Sequence, residues 1–229
     1  MAKLTRLQVF EQIISGGLVP LFYTPDPETA FEIARACYEG GARILEFTNR
    51  GDYAHEVFIA LSKMVRREMP DLALGVGSVQ DAGAASLFIQ CGADFVVTPL
   101  LREDVIGVCN RRKIAVIPGA ATSTEIGRAE ELGAEVVKIT PGEVLSPAFI
   151  KAHLGPCPWT RAMVSGGVRL EESSLRAWFE AGAACVGMGS QLISRQRIAL
   201  CDWTGLRGDV AQALAWISQI RRESDAPRS

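Results

Sequence analysis

The feature that most constrains the fold is a set of eight short apolar runs, rich in branched residues and roughly 20 to 30 residues apart. The segments between them place apolar residues at helical spacing, most clearly in the last segment, where Val210, Ala213 and Ile217 share one face. Strands that alternate with helices are typical of a parallel α/β fold. We therefore predict eight strands, at Leu18–Tyr23, Arg43–Thr48, Leu72–Ser78, Asp94–Pro99, Ile114–Gly119, Glu135–Thr140, Arg161–Gly166 and Ala184–Ser190.

The number of units and the chain length together favour a closed barrel. A chain of 229 residues with eight strand–helix units is close to the smallest size of a (β/α)8 barrel. A doubly wound open sheet is disfavoured because no G-x-G-x-x-G motif follows the first run, where Pro20 and Pro25 stand instead. We predict one α/β domain over residues 1–229, a single (β/α)8 TIM barrel. Its parts are an N-terminal capping helix at about 5–16, the barrel at about 18–222 and a loose tail at 223–229.

Charge and hydropathy limit the binding partners and the cellular location that we expect for this chain. Lys and Arg total 24 against 26 Asp and Glu, and a net charge of −2 does not provide the basic surface that binds nucleic acid. No apolar run reaches the roughly 18 to 20 residues that span a bilayer. The polar start of the chain is not followed by the apolar core of a signal peptide. We expect a cytoplasmic protein that acts on a small molecule and binds neither nucleic acid nor membrane.

Cysteine and histidine usage bears on redox state and metal binding. The six cysteines form no C-x-x-C pair and mostly lie among apolar residues, so we predict buried, reduced thiols. The two histidines, His55 and His153, are far apart in predicted helices. This separation argues against a His-based catalytic metal site, and we predict no bound metal.

Lysine usage singles out one residue within a strand. Four of the five lysines, Lys3 among them, lie in polar helical or pre-strand segments, where a solvated surface charge is expected. Lys138 instead interrupts the sixth apolar run, so inside a barrel it must be desolvated or paired. Because only a neutral amine attacks a carbonyl, a desolvated lysine suits a Schiff-base nucleophile that needs no cofactor. A structural lysine paired with a core carboxylate is the alternative.

A carboxylate interrupts the second apolar run in the same way. Glu46 shares one strand face with Ile44 and Thr48, and burying it is far less costly beside an amine than alone. If Glu46 faces the barrel interior, it meets Lys138 near the axis and can shuttle protons during imine formation and carbon–carbon cleavage. A purely structural ion pair is the alternative. We predict Lys138 and Glu46 as the catalytic residues.

Polar and glycine-bearing strand ends offer sites for anionic groups. Arg50 follows the second run and carries the planar donor fork that suits a carboxylate. Ser78, after the third run, could add a hydroxyl, with a tight turn as the alternative. Barrels frequently bind phosphate through backbone N–H groups after the seventh and eighth strands. The candidates at those two ends are Ser165, Gly166, Gly167, Gly189 and Ser190.

Seven motifs in chain order carry a resemblance to a known family. They are Glu46–Arg50, Gly75-x-Gly77-Ser78, Thr98-Pro99, Ile117–Gly119, Lys138 followed by Pro141, Ser165–Gly167 and Gly189-Ser190. Together they resemble the KDPG/KHG aldolases, class I lyases that cleave 2-keto-3-deoxy-6-phosphogluconate or 4-hydroxy-2-oxoglutarate to pyruvate and an aldehyde. The resemblance covers about residues 18–192. It implies an Entner–Doudoroff-type enzyme of carbohydrate metabolism that assembles as a homotrimer.

The resemblance also implies residue roles. Lys138 would form the imine with pyruvate, and Glu46 would be the proton shuttle. Arg50 and Ser78 would hold the pyruvate carboxylate end, while the distal phosphate would be held by Gly166, Gly167 and Ser190. Pro99, Thr140, Ser165 and Gly189 complete the predicted set of substrate-binding residues.

Departures from the family pattern leave the acceptor aldehyde open. Ile139 and Thr140 stand where the family usually has an aromatic residue or leucine and then phenylalanine, so the pocket wall beside the imine is more polar. Relatives that act on the galactonate epimer carry an arginine soon after the first strand, where this chain has Tyr23 and Thr24. Two other functions also stay open. One is a phosphate-binding barrel isomerase or synthase that uses Lys138 as a point charge, and the other is a catalytically inactive binding barrel.

Overall fold

The computed structural model describes residues 2–225, and its strands follow the predicted apolar runs. Each pairing between neighbouring strands is parallel. The strands are β1 Leu18–Phe22, β2 Ile44–Thr48, β3 Ala73–Gly77, β4 Phe95–Val97, β5 Ala115–Ile117, β6 Gly119–Ala120, β7 Val137–Ile139, β8 Ala162–Ser165 and β9 Cys185–Met188. Their order in the sheet is β5-β4-β3-β2-β1-β9-β8-β7-β6.

Pro118 explains why nine strands occupy the eight positions of a barrel. It lies between β5 and β6, which are the two halves of the fifth predicted strand, and it has no N–H to donate to a neighbouring strand. The first half pairs with β4 and the second half pairs with β7. The covalent link through Pro118 therefore closes the sheet, which confirms the predicted (β/α)8 barrel.

Helices alternate with the strands around the barrel. They are α1 Arg6–Gly16, α2 Pro27–Glu39, α3 Ala54–Glu68, α4 Ala82–Gln90, α5 Glu103–Arg112, α6 Ser123–Glu131, α7 Gly142–Leu154, α8 Glu172–Glu180, α9 Arg195–Ala199 and α10 Trp203–Asp225. The last helix continues past residue 222 to Asp225, and residues 226–229 of the predicted tail lie outside the described residues. The assignment of the whole chain to one domain stays a prediction.

The first helix closes one end of the barrel, as the sequence predicts for its capping helix. Its buried residues Phe10 and Ile13 pack against inward-facing side chains near the starts of the strands, such as Val19 and Ile44. Thr5 begins the helix with a capping box to Gln8, so two backbone N–H groups are satisfied. With this end filled by apolar side chains, the carboxyl ends of the strands are the end available for a site.

Lys3 corrects one expectation, because it is not a solvated surface charge. Its Nζ donates hydrogen bonds to the carbonyl oxygens of Met69, at 3.0 Å, and Leu72, at 2.7 Å. Burial lowers its pKa, although the charge of Asp94 opposes that shift. The backbone N–H of Lys3 also donates to the Asp94 carboxylate. These bonds fasten the segment before α1 to the closed end of the barrel.

The cysteines are reduced, as predicted, but not all of them are buried. All six are free thiols. Burial raises the pKa of Cys37, Cys109 and Cys185 to about 12, so these thiols are inert. Cys201 is exposed. Within residues 2–225, no helix combines the length and the apolar character that crossing a bilayer requires.

Candidate active site

Glu46 lies in the barrel interior and is fully buried. The strand register aligns it with Leu21 of β1 and Gly75 of β3. Its carboxylate reaches further along β3, because a Cβ added at Gly77 would overlap it. Gly77 lies closer to the carboxyl end of its strand than Gly75 does. The carboxylate therefore points from the middle of the barrel toward its open end, through space that the glycine leaves free.

The electrostatic state of Glu46 is unusual for a core residue. Neither of its carboxylate oxygens has a hydrogen-bond partner within residues 2–225. Burial raises the pKa of Glu46, while the positive charges of Lys138 and Arg50 act in the opposite direction. A buried carboxyl without a partner is costly to the fold. A raised pKa, however, suits a group that accepts and returns a proton near neutral pH.

Lys138 faces the same interior from β7. Its backbone N–H donates to the Pro118 carbonyl at 2.8 Å, and the register places it beside Gly119 and Met163. The residue is half-buried, and its side chain forms no hydrogen bond or ion pair with any described residue. It interacts electrostatically with Glu46 without a direct bond. The pair is therefore not the hydrogen-bonded structural ion pair that the sequence left open.

Six of the predicted site residues surround one cavity of about 380 Å³ at the open end of the barrel. Lys138 is aligned with Met163, two residues before Ser165, so it lies one inward-facing position deeper than the cavity wall. The six are Arg50, Ser165, Gly166, Gly167, Gly189 and Ser190. The structure thus places the anion-binding candidates that follow β2, β8 and β9 around a single space above Lys138 and Glu46.

Three predicted substrate-binding residues lie at the same end of the barrel but outside the described lining of this cavity. Ser78 directly follows β3 with a φ of 59°, in the left-handed region. Pro99 follows β4, in a turn where the Thr98 hydroxyl accepts from the Gly119 N–H and donates to the Leu100 carbonyl. Thr140 directly follows β7 and is half-buried. Their contact with a substrate stays a prediction.

The sequence analysis missed three polar residues of the cavity wall, Glu143, Arg169 and Gln191. Glu143 sits against the glycine pair, because a side chain on Gly166 would overlap its carboxylate. Arg169 and Gln191 lie in the loops after β8 and β9, and Glu143 lies in the first turn of α7, which follows β7. The available signal was position alone, since the loops after barrel strands form the site in this fold. By residue type they resemble any exposed surface charge or amide.

Histidines and acidic residues are not arranged for metal binding in the described chain. Within residues 2–225, no group of three or more His, Cys, Asp or Glu side chains is placed to hold a metal ion. His153 instead lies within hydrogen-bond distance of the Ser123 and Thr160 hydroxyls, at 3.0 and 3.2 Å. It joins α6 and α7 on the outside of the barrel.

Fold and site together define a (β/α)8-barrel protein in which a half-buried lysine and a buried carboxyl group lie beneath a cavity lined by glycines and arginines. The family model of KDPG and KHG aldolase matches residues 9–207. The chain belongs to the KDPG and KHG aldolase family. Membership confirms the resemblance seen in the sequence motifs and the class of lyase that they predict.

Individual relatives agree with this assignment. The chain is 33% identical, over 199 residues, to the 2-dehydro-3-deoxy-phosphogluconate aldolase of Treponema pallidum, and the match covers 86% of this chain and 92% of that protein. A solved structure of a 4-hydroxy-2-oxoglutarate aldolase/2-deydro-3-deoxyphosphogluconate aldolase from TTHB1 is 28% identical, with a TM-score of 0.78, covering 90% of this chain and 97% of that one. The KDPG aldolase of Legionella pneumophila, solved with pyruvate captured as a covalent carbinolamine, shares the fold at 23% identity and a TM-score of 0.79, covering 89% and 96%.

Proposed function

We propose that this protein is a class I aldolase that reversibly cleaves a 2-keto-3-deoxy sugar acid phosphate, or 4-hydroxy-2-oxoglutarate, to pyruvate and an aldehyde. The observation that carries the proposal is the pair of Glu46 and Lys138 in the barrel interior. They interact electrostatically, and the carboxyl oxygens have no hydrogen-bond partner in the described chain. Family membership supports the same reaction class.

Lys138 is the nucleophile of the first step. Its neutral Nζ attacks the keto carbon of the substrate and gives a carbinolamine, which loses water as the imine forms. Glu46 donates the proton that converts the departing hydroxyl into water. The raised pKa of Glu46 favours the protonated carboxyl that this step requires.

Glu46 then acts as the base of the cleavage step. Its carboxylate accepts the proton of the C4 hydroxyl, the C3–C4 bond breaks, and the bonding electrons pass into the imine to give an enamine. The aldehyde leaves, and Glu46 returns its proton to C3. Hydrolysis of the resulting pyruvate imine releases pyruvate and regenerates Lys138.

Residues that follow different strands hold the two ends of the substrate. Arg50 suits the keto-acid carboxylate, because its guanidinium binds such groups through two parallel hydrogen bonds and also lies near Glu46. Ser78 is proposed to assist at this end. The backbone N–H groups of Gly166 and Gly167 and the Ser190 hydroxyl suit the distal phosphate, since they line the same cavity.

Borohydride trapping tests this function against its alternatives. Pyruvate and sodium borohydride added together should label Lys138 irreversibly, with the site identified by peptide mass analysis. A phosphate-binding isomerase or synthase, or an inactive binding barrel, would leave the lysine unlabelled because neither forms an imine. Cleavage rates across a panel of 2-keto-3-deoxy acids, with and without phosphate and in both epimers, would then identify the acceptor aldehyde.

The assembly and the location belong to the same proposal. We infer a cytoplasmic homotrimer that needs no metal or other cofactor. Membership in the aldolase family supports the trimer, because the resemblance of the sequence motifs implies that assembly. Light scattering of the purified protein would measure the mass, and a monomer at working concentration would contradict the trimer.

A further inference from the structure

The cavity of the site continues into a second and larger one. This second cavity has a volume of about 640 Å³ and lies between the start of α7 and α8. Both cavities are lined by Glu143, Gly167, Arg169 and Gln191. Among these four shared residues, Arg169 is the one with a positive charge. It therefore stands at the junction of the two cavities, next to the glycine-lined part of the site.

We propose that Arg169 is a specificity-determining residue that binds the terminal anionic group of the substrate, in particular a phosphate. The proposal rests on the aldolase function above and deepens it. It names the side chain that makes this enzyme prefer a phosphorylated 2-keto-3-deoxy acid over its unphosphorylated counterpart.

The backbone of Arg169 is fixed while its side chain is available. The Arg169 N–H donates to the Ser174 hydroxyl at 3.1 Å, and Ser174 is buried in the first turn of α8. The side chain is 62% exposed and forms an ion pair with Glu171 at 3.4 Å. Exposed ion pairs of this kind contribute little to stability, because water screens the charges. The guanidinium can therefore turn from Glu171 to a ligand at little cost.

The charge distribution around the glycine pair calls for such a cation. The Glu143 carboxylate sits against Gly166, so a phosphate held by the backbone N–H groups there meets a like charge. Arg169, two residues after Gly167, lines the same cavity and offsets that repulsion. Its planar fork matches two phosphate oxygens at once.

The other arginine of the cavity serves the opposite end of the substrate. Arg50 follows β2, whereas Arg169 follows β8, and β1 and β9 lie between those strands in the sheet. A 2-keto-3-deoxy acid with a terminal phosphate carries one anionic group at each end. The two arginines thus match the two charged ends of one molecule.

The test compares Arg169→Gln with wild type on 2-keto-3-deoxy-6-phosphogluconate and on 2-keto-3-deoxygluconate. We expect kcat/KM for the phosphorylated substrate to fall ~10- to 100-fold, mainly through KM, because a hydrogen-bonded charge partner is lost. The value for the unphosphorylated substrate should not change. Arg169→Lys should recover part of the loss. Arg111→Gln is the matched control, since it removes the same charge in the last turn of α5, at the closed end of the barrel.

The outcomes separate this proposal from the function on which it rests. Equal losses on both substrates would show a structural role for Arg169, and no loss on either would remove it from anion binding. A wild type without preference for the phosphorylated substrate would also overturn the proposal. Borohydride trapping with pyruvate is run on every variant. If the wild type is not labelled, the aldolase function is wrong. If labelling is normal and Arg169→Gln keeps the wild-type preference for the phosphorylated substrate, only the assignment of Arg169 is wrong.

Discussion

The buried centre of the site and its open rim are built in different ways. Glu46 and Lys138 lie on strands, where the hydrogen bonds to neighbouring strands fix the backbone. Arg169 lies in the loop after β8, Glu143 lies in the first turn of α7, and both are exposed to solvent. In our proposal, residues on the rigid strands carry out the bond-making chemistry, and exposed residues that follow the strands determine the choice of substrate. Substitutions at the centre should therefore abolish turnover, and substitutions at the rim should change which molecule is turned over.

The largest effect is expected at Lys138. Lys138→Ala removes the nucleophile, so pyruvate labelling and aldol cleavage should both be lost. Lys138→Arg should be equally inactive, because a guanidinium stays protonated and cannot attack a carbonyl. Mass analysis after borohydride treatment and a coupled cleavage assay check both variants. Measurable cleavage by Lys138→Arg would show that the reaction does not pass through an imine on Lys138. The proposed difference between the centre and the rim of the site would then be wrong.

Glu46→Gln should show the next largest effect. Glutamine keeps the size of the side chain but cannot accept a proton. We expect kcat to fall by about 10² to 10⁴, the usual cost of losing a general acid–base group, while pyruvate still binds and forms the imine more slowly. Single-turnover trapping measures imine formation separately from cleavage. A variant with full turnover per folded molecule would show that Glu46 is not part of the mechanism.

Thermal melts of Glu46→Gln distinguish a catalytic role of Glu46 from a structural one. Burial holds the pKa of Glu46 above its ordinary value of 4.5 in the folded state, so ionisation of this group destabilises the fold as the pH rises through the folded pKa. Glutamine does not ionise. The Tm of Glu46→Gln should therefore exceed that of wild type at neutral pH, and the difference should vanish below about pH 4. A lower Tm at neutral pH would indicate a structural ion pair instead.

The centre of the site could be predicted from the sequence because a charge within an apolar run is a strong signal. Lys138 and Glu46 each interrupt a strand pattern, and the closure of the barrel brings them together as expected. The strand register was needed to see that Gly77 makes room for the Glu46 carboxylate. Similarly, the break of the fifth strand at Pro118 depends on its hydrogen-bonded neighbours.

The rim could be predicted only in part. Glycines after the last two strands, such as Gly166, are a recognisable pattern, and they do line the cavity. Glu143 and Arg169 carried no comparable signal, because most exposed charged residues simply face solvent. Lys3 shows the opposite error. Its polar sequence context suggested solvation, and only the folded chain reveals the two carbonyl groups that it binds.

Gly77→Ala tests how the centre of the site is built, and we expect its effect on turnover to be smaller than that of Glu46→Gln. The added methyl group would overlap the Glu46 carboxylate, so we expect the variant to lose about 1 to 3 kcal/mol of stability and to turn over more slowly. Gly127→Ala, in α6, is the matched control because open space surrounds that position. It should gain up to about 1 kcal/mol, since alanine favours a helix. Denaturant unfolding and kcat per folded molecule check both. Unchanged stability and turnover in Gly77→Ala would mean that this glycine does not position the carboxylate.

The smallest expected effect is that of a chelator, which should change neither kcat nor substrate preference. At the centre, the imine nitrogen accepts the electrons of the breaking bond, so no Lewis acid is required there. At the rim, the phosphate is held by Arg169 and glycine N–H groups in our proposal. The measurement is the initial rate on both substrates after dialysis against EDTA, followed by addition of Mg²⁺ or Zn²⁺. A loss on the phosphorylated substrate alone would point to a cation bridging the phosphate and Glu143, the carboxylate at that end of the cavity. A loss on both substrates, restored by the ion, would contradict the role of Lys138 as the electron-accepting centre.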